Sequence, residues 1–293
     1  MRRSYRWAAL LLLLLSSTVR AQLPFYTDDT EVTQPGTLHI EFFDEIDALQ
    51  SDQFPNVRQN TANLKLNTGL PYQLELDLDA PYLTIYRAAG STTSRGIGDT
   101  NFGIKWKMRD ASVQSHRPAL AVSFYVEVPT GNTQQELGSG LTDYWLNFIA
   151  QEPLSEHTHV NFNLGILFAG NTSTGVVGIE TTRGHILTGG LSILHDLSER
   201  LSIGGEIYGG IADNDGLHRK QLQAMMGAQY SIRSNVALTA AVLGGKYAAS
   251  PRIGGQLGIA VDLPGALGAS GVHDPNWPRR HDEYAAGDQS SVR

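Results

Sequence analysis

The 293-residue sequence contains no cysteine, so no disulfide bond can stabilise the fold. An exported chain of this size must then depend on extensive backbone pairing or on a large core. Basic residues are also scarce, with 22 Lys and Arg against 29 Asp and Glu. That deficit argues against nucleic acid as a partner, because a phosphate binder needs a basic surface. Finally, no apolar run after the N-terminus reaches 18 residues, so the sequence predicts no membrane-spanning helix.

The first 21 residues predict a secretory signal peptide. Three arginines within the first six residues precede an apolar run over 7–15, and Val19 and Ala21 stand at positions −3 and −1 of a cut before Gln22. Nine apolar residues fall well short of the ~20 that a membrane-spanning helix needs. Cleavage would remove four arginines and no acidic residue, leaving 272 residues with a formal charge of −11.

The stretch "GIGDTNFGIKWKM" (96–108) shows the pattern that dominates the mature chain. Phe102, Ile104 and Trp106 alternate with Gly103, Lys105 and Lys107. Strict alternation predicts a β-strand with one apolar and one polar face, because successive side chains leave a sheet on opposite sides. The pattern itself leaves open which face meets water.

Twelve segments of this kind follow one another, with no convincing helix between them, and the 31 glycines and 12 prolines suit many short strands. We predict strands at 37–48, 61–70, 72–87, 98–109, 118–129, 142–152, 157–169, 183–195, 200–212, 219–232, 235–247 and 252–263. Within the third strand, Pro81 predicts a bulge or a bend.

Long and short connections alternate along the chain. Short polar turns are predicted at 69–72, 154–157, 197–200 and 232–235, and long connections at 48–59, 88–97, 130–140 and 170–182. Two connections, 109–117 and 248–251, depart from this parity. Alternation of this kind is typical of an outer-membrane barrel, with short turns in the periplasm and longer loops outside. A secreted β-sandwich is the alternative, but its loops need show no parity.

Together with the signal peptide and the even strand count, the connections favour an all-β fold: a closed, antiparallel, up-and-down transmembrane β-barrel of about 12 strands. Only a closed sheet pairs every backbone group in lipid without helices. Apolar side chains such as Ile104 and Trp106 should then face lipid. The polar residues expected to line the lumen are Glu41, Glu45, Asp47, Lys65, Glu75, Asp77, Asp79, Lys105 and Lys107.

Three of these carboxylates, Glu75, Asp77 and Asp79, share one strand face about 7 Å apart. They could form a metal or substrate site. The favoured interpretation is that they pair across the sheet with Lys65 and with Lys105 or Lys107.

Other candidate sites are weaker. His157 and His159 share a face but have no third ligand in sequence, so we expect no metal site. A lipid-modifying enzyme would need a serine and a histidine side by side. Ser123 lies seven residues from His116, and Ser192 and His195 fall on opposite faces: "HRPALAVS" (116–123), "LSILHD" (191–196). We therefore expect no catalytic residue and no cofactor. The tripeptide "NTS" (171–173) matches a glycosylation sequon but is expected to be simply loop.

Four stretches resemble the outer-membrane barrels of the meta-pathway of phenol degradation family: "FYTDDTEVTQPGTLHIE" (25–41), "GIGDTNFGIKWK" (96–107), "PALAVSFYVEVPTGN" (118–132) and "LGSGLTDYWLNF" (137–148). The resemblance implies a transporter-like barrel near aromatic-catabolism functions, and it carries over no catalytic residues. One departure is the end of the chain. Outer-membrane strands usually finish at an aromatic residue, whereas here the last strand ends at Leu263 and a 30-residue tail follows.

The sequence thus predicts four parts: a signal peptide (1–21), a periplasmic or plug segment (22–36), the barrel (37–263) and a polar, disordered tail (264–293). We expect a cell-outer-membrane barrel that admits or transports a small solute, with hydrophobic and aromatic molecules among the candidates. A structural or lipid-interacting barrel without throughput is the alternative. Expected partners are outer-membrane lipid, the solute and the barrel-assembly machinery.

Overall fold

The computed structural model of the protein describes residues 24–112, 115–169, 184–212 and 220–267. The predicted signal peptide, the connection 170–182 with its sequon, and the tail beyond residue 267 lie outside the described residues.

The described chain forms thirteen β-strands, and each arises where apolar and polar residues alternate or where the chain turns back on a neighbour. They are β1 (Leu38–Ala48), β2 (Asn56–Leu70), β3 (Leu74–Arg87), β4 (Ser94–Ile97), β5 (Thr100–Arg109), β6 (Ala119–Val128), β7 (Asp143–Ser155), β8 (Thr158–Ala169), β9 (Gly184–Asp196), β10 (Leu201–Ala212), β11 (Gln221–Arg233), β12 (Val236–Gly245) and β13 (Ile253–Leu263). Helical structure in these ranges is limited to two 3₁₀ turns, Ser51–Gln53 and Thr133–Gln135.

Twelve of the strands close into an antiparallel barrel, which confirms the predicted fold. Consecutive strands pair as neighbours, and β1 pairs with both β2 and β13, so that Leu38 lies opposite Thr68 on one side and Leu263 on the other. Closure satisfies the backbone of every strand, as lipid requires. The short β4 is additional and pairs only with β3.

Within the described ranges, no helix has the length and apolar character needed to cross a membrane.

The two faces of the barrel have the polarity of a membrane barrel. On β5, Phe102 and Ile104 are 52% and 39% exposed, whereas the intervening Lys105 is 4% exposed. The same alternation repeats on β8, where Leu164 is exposed and Asn163 is buried. Buried polar residues and exposed apolar ones reverse the order of a soluble protein. Apolar side chains therefore face outward and polar ones inward, as the sequence predicted.

Aromatic side chains are exposed near both rims of the barrel. We call the rim that carries the short turns the turn end, and the opposite rim the loop end. Tyr72, Trp106 and Tyr230 are exposed near the turn end, and Tyr86 and Tyr144 near the loop end. Outer-membrane barrels place aromatic girdles in this way, at the two membrane interfaces.

Three local features differ from the sequence prediction. First, β2 begins at Asn56, not at residue 61, because residues 56–60, at the loop end, also pair with β3. Second, β4 was not predicted. Third, the β2–β3 register runs unshifted through the Asn63–Pro81 pair, so the predicted bulge at Pro81 is wrong in that pairing. Instead β3 changes its other partner there, from β5 up to Asp79 to β4 from Tyr82.

Candidate functional site

The nine predicted lumen residues lie on the interior face of β1, β2, β3 and β5. Lys65 and Asp79 are half-buried. The other seven are at most 9% exposed: Glu41, Glu45, Asp47, Glu75, Asp77, Lys105 and Lys107. Cross-strand register brings several of them together, since Lys65 lies opposite Glu41 and Asp79.

Lys105 pairs with two carboxylates on different parts of the chain. Its Nζ lies 3.3 Å from Glu75 Oε1 on the neighbouring strand, the pair that cross-strand register places opposite each other. The same Nζ lies 3.2 Å from Oδ1 of Asp28, which belongs to the segment before β1. Lys105 is therefore a bridge between the barrel wall and the N-terminal residues.

Lys107, by contrast, does not pair with the acidic row of β3. Its Nζ lies 3.2 Å from Glu31 Oε2 and 2.6 Å from Asp110 Oδ1. Asp77 accepts a hydrogen bond from the Tyr125 hydroxyl at 3.0 Å. The acidic row of β3 thus pairs with only part of the predicted set.

Residues 24–36, here called the N-terminal segment, run inside the barrel. Near the turn end, Pro35 forms a bridge with Gly69 of β2, and the Thr33 N–H donates to Glu75 Oε2 at 2.5 Å. Further along, Thr30 Oγ1 donates to Gln151 Oε1 of β7 at 2.7 Å. The sequence pattern did not predict that Asp28 and Glu31 would pair with the lysines.

The far part of the segment contacts the opposite wall. Phe25 packs against Met225 of β11 and against Ala241 and Leu243 of β12. The backbone N–H of Thr27 donates to Glu206 of β10. The segment therefore spans the interior from one wall to the other.

Two glycines leave room for this close approach. A Cβ at Gly69 would overlap the carbonyl oxygen of Thr33, and a Cβ at Gly190 would overlap the hydroxyl of Thr27. Larger residues at either position would therefore displace the N-terminal segment.

Burial perturbs the titration of two side chains in the N-terminal segment. It raises the pKa of the Tyr26 phenol well above the ordinary value, and the negative charges of Glu45 and Asp47 raise it further. Tyr26 therefore stays protonated and donates to Glu45 Oε1 at 2.8 Å. Burial also raises the pKa of the Asp28 carboxyl, although the Lys105 ammonium opposes this shift.

A cavity of about 220 Å³ lies between the N-terminal segment and the strands β1–β3 and β5–β7. Its wall includes Phe25 and Asp28 of the segment, Asp77 of β3, Tyr125 of β6 and Trp145 of β7. The space therefore offers both charged groups and aromatic rings to anything that enters it.

The loop between β6 and β7 covers the cavity near the loop end. Leu137 of this loop is 1% exposed and packs against Leu83 and Ile85 of β3. The carboxylate of Asp99 accepts hydrogen bonds from the backbone N–H groups of Gly131 (2.9 Å) and Ser139 (2.8 Å). Two side-chain interactions thus hold the loop inward.

The weaker candidates are not assembled into sites. Ser192 is buried and His195 is exposed, so they do lie on opposite faces. Ser123 is buried, whereas His116 and His157 are exposed. Within the described ranges, no group of three or more His, Cys, Asp or Glu residues is placed to hold a metal ion.

The model of a family described as "Putative MetA-pathway of phenol degradation" matches residues 25–261. A comparison with curated proteins finds no match.

Among solved structures, the chain is similar to an outer-membrane channel from Pseudomonas putida F1, with a TM-score of 0.62 and 15% identity over 80% of this chain and 98% of that chain. It is also similar to the NanC porin, with a TM-score of 0.53 and 7% identity over 77% of this chain and 100% of that chain. A KdgM porin in complex with disordered oligogalacturonate gives a TM-score of 0.51 and 11% identity over 76% of this chain and 98% of that chain. At such identities the likeness establishes the shared barrel fold.

Proposed function

We propose that this chain, which belongs to the MetA-pathway of phenol degradation family, is an outer-membrane channel that admits a small solute. The observation that carries the proposal is the cavity of about 220 Å³ inside the barrel, lined by charged and aromatic side chains. An interior of eight strands is just wide enough for side chains to fill, whereas the twelve strands of this barrel leave space beyond them. The size favours a small solute, since pockets for drug-sized ligands measure about 300–1,000 Å³.

The N-terminal segment acts in this proposal as a plug. Its ion pair from Asp28 to Lys105, its hydrogen bonds to Glu75 and Glu206, and the packing of Phe25 support a docked, closed state. Passage of a solute then requires this segment to move. The mature chain would begin near Gln22 after removal of the signal peptide and would be inserted by the barrel-assembly machinery.

The membrane location follows from the exterior of the barrel. Exposed apolar side chains such as Phe102 and Leu164, bounded by Tyr and Trp near both rims, match the surface that outer-membrane lipid requires. The turn end would face the periplasm and the loop end the outside. Outer-membrane lipid is then a partner over the whole outer surface.

Single-channel recording in planar bilayers tests the proposal. The mature protein is compared with a variant that lacks residues 22–33 but keeps the turn in which the Thr37 N–H donates to the Gln34 carbonyl before β1. We expect rare openings from the mature protein and steady conductance from the deletion variant. Both proteins must migrate faster unheated than boiled on a gel, which verifies a closed barrel. If neither folded protein conducts, the channel proposal is wrong and a barrel without throughput remains.

A further inference from the structure

Acidic side chains outnumber basic ones around the cavity. Six of the lining residues are acidic and two are lysines: Asp28, Glu45, Asp77, Asp79, Asp99 and Glu127, with Lys65 and Lys105. If all are ionised, the lining has a formal charge of −4. An anionic ligand would meet net repulsion in such a space.

Both lysines already have partners. Lys105 pairs with Asp28 and Glu75 at 3.2 and 3.3 Å. Lys65 lies opposite Asp79 in the sheet, with its Nζ 5.4 Å from the centre of the Phe43 ring. Neither ammonium group is therefore placed to attract an anion into the cavity.

Several hydrogen-bond acceptors at the cavity have no partner in the protein. They are Oδ1 of Asp77, Oδ1 of Asn63 and Oδ1 of Asn147. These three residues are 9%, 4% and 2% exposed, so each is at least nine-tenths buried. The other Asp77 oxygen is already occupied by Tyr125. Buried acceptors without donors are costly, so a ligand that supplies N–H groups would satisfy them.

An aromatic pair lies beside Asp77, because Tyr125 is one of its two rings. The ring centres of Tyr125 and Trp145 are 6.0 Å apart with their planes inclined at 37°. The polar atom of each ring is satisfied, since the Tyr125 hydroxyl donates to Asp77 and Trp145 Nε1 donates to Thr188 Oγ1 at 3.2 Å. What the rings offer a ligand is therefore apolar surface and the negative potential of their faces, which attracts cations.

We propose that the cavity binds a small organic cation, in which an ammonium group meets Asp77 and an apolar body packs on Tyr125 and Trp145. The excess of acidic side chains, the unpartnered oxygen of Asp77 and the ring surface all favour that chemistry. This inference deepens the proposed function by naming the class of solute. Binding itself does not require passage through the barrel, so the two proposals can fail separately.

Equilibrium binding to the full-length mature protein in detergent tests the inference. The probes are benzylamine, benzyl alcohol and benzoate, which share a ring and differ in charge at neutral pH. Trp145 reports binding by fluorescence once the other tryptophans of the mature chain are replaced, Trp106→Phe and Trp277→Phe. We expect benzylamine to bind at least about tenfold more tightly than either other probe, as for a charged hydrogen bond. Equal affinities, or tighter binding of benzoate, would overturn the inference.

Variants locate the site. Asp77→Asn keeps the size of the side chain and should remove most of the preference for benzylamine. Asp262→Asn is the matched control, because Asp262 pairs with His39 near the turn end and does not line the cavity. If Asp77→Asn does not fold, as judged by gel mobility, Tyr125→Leu provides the second test, because it removes one of the two rings, and it should also weaken benzylamine binding. If a folded variant binds benzylamine with unchanged affinity, the replaced side chain is not part of the site. If both variants do so, the proposed site is wrong. A conducting channel without amine preference would contradict this inference alone.

Discussion

Replacement of Lys105 by methionine should release the N-terminal segment. Lys105 is 4% exposed and holds Asp28 of the segment and Glu75 of the wall together. The variant leaves two carboxylates close together without their cation, and loss of one partner of a buried ion pair typically costs about 3–5 kcal/mol. Asp28 is the less buried partner, with 17% of its side chain exposed, and can relax. We therefore expect the lower figure, about 3 kcal/mol, or roughly a hundredfold larger undocked population.

The absence of cysteine allows a direct assay of this release. Thr30 is fully buried in the docked segment, so a Thr30→Cys protein should react with a maleimide only when the segment is undocked. We expect the labelling rate of Thr30→Cys to rise roughly a hundredfold when Lys105→Met is added. Lys246→Met, a change to an exposed loop lysine, is the control and should leave the rate unchanged. Equal rates in folded proteins with and without Lys105→Met would refute the reasoning.

Three further predictions test other parts of the structure. Ile104→Arg should block formation of the heat-shifted gel band, since a basic residue on the lipid face costs about 2–4 kcal/mol at mid-bilayer. In the plug-deletion variant, replacing Glu75, Asp77 and Asp79 by Gln, Asn and Asn should move the reversal potential in a salt gradient toward anions, since carboxylates in a pore wall favour cations. Because burial raises the pKa of Asp28, the docked segment binds a proton more tightly than the free one, so falling pH through the raised pKa should favour docking. The labelling rate, measured relative to that of a free thiol, should therefore not increase as the pH is lowered from 7 to about 5, which is still above the ordinary pKa of an aspartate.

The sequence predicted the barrel strands well wherever lipid enforces alternation. All twelve predicted strands are present, most with ends within one or two residues. The strand predictions were incomplete at the loop end, beyond the apolar band of the barrel. The first residues of β2 include Val57 and Arg58, both exposed, so that no period of two distinguishes their faces. The four residues of β4 are likewise too few to show a pattern.

Prediction of the interior was limited for a different reason. The alternation of apolar and polar residues placed Glu75 and Lys105 on the lumen face of neighbouring strands. Their pairing across the sheet could therefore be predicted. The N-terminal segment has no period, so nothing local indicates that Asp28 meets Lys105, 77 residues away. One signal was available in "LSIGGEIYGG" (201–210), where Glu206 is a lone acid among small residues on an inward face and in fact binds the segment.

The two walls of the barrel hold the segment in different ways, and this affects how ion preference should be measured. Strands β1–β7 present charges, and Lys105 and Lys107 pair there with Asp28 and Glu31 of the segment. The opposite wall, strands β10–β12 of the described chain, holds Phe25 by apolar packing and has a single carboxylate, that of Glu206, which accepts the Thr27 N–H. Deleting the segment removes three carboxylates, Asp28, Asp29 and Glu31, but leaves both lysines in the wall. The conducting deletion variant therefore has a less negative interior than the intact protein. In the intact protein the segment could instead move aside and stay within the barrel, so that its carboxylates remain there. The cation preference of the intact protein should then be at least as strong as that measured for the deletion variant.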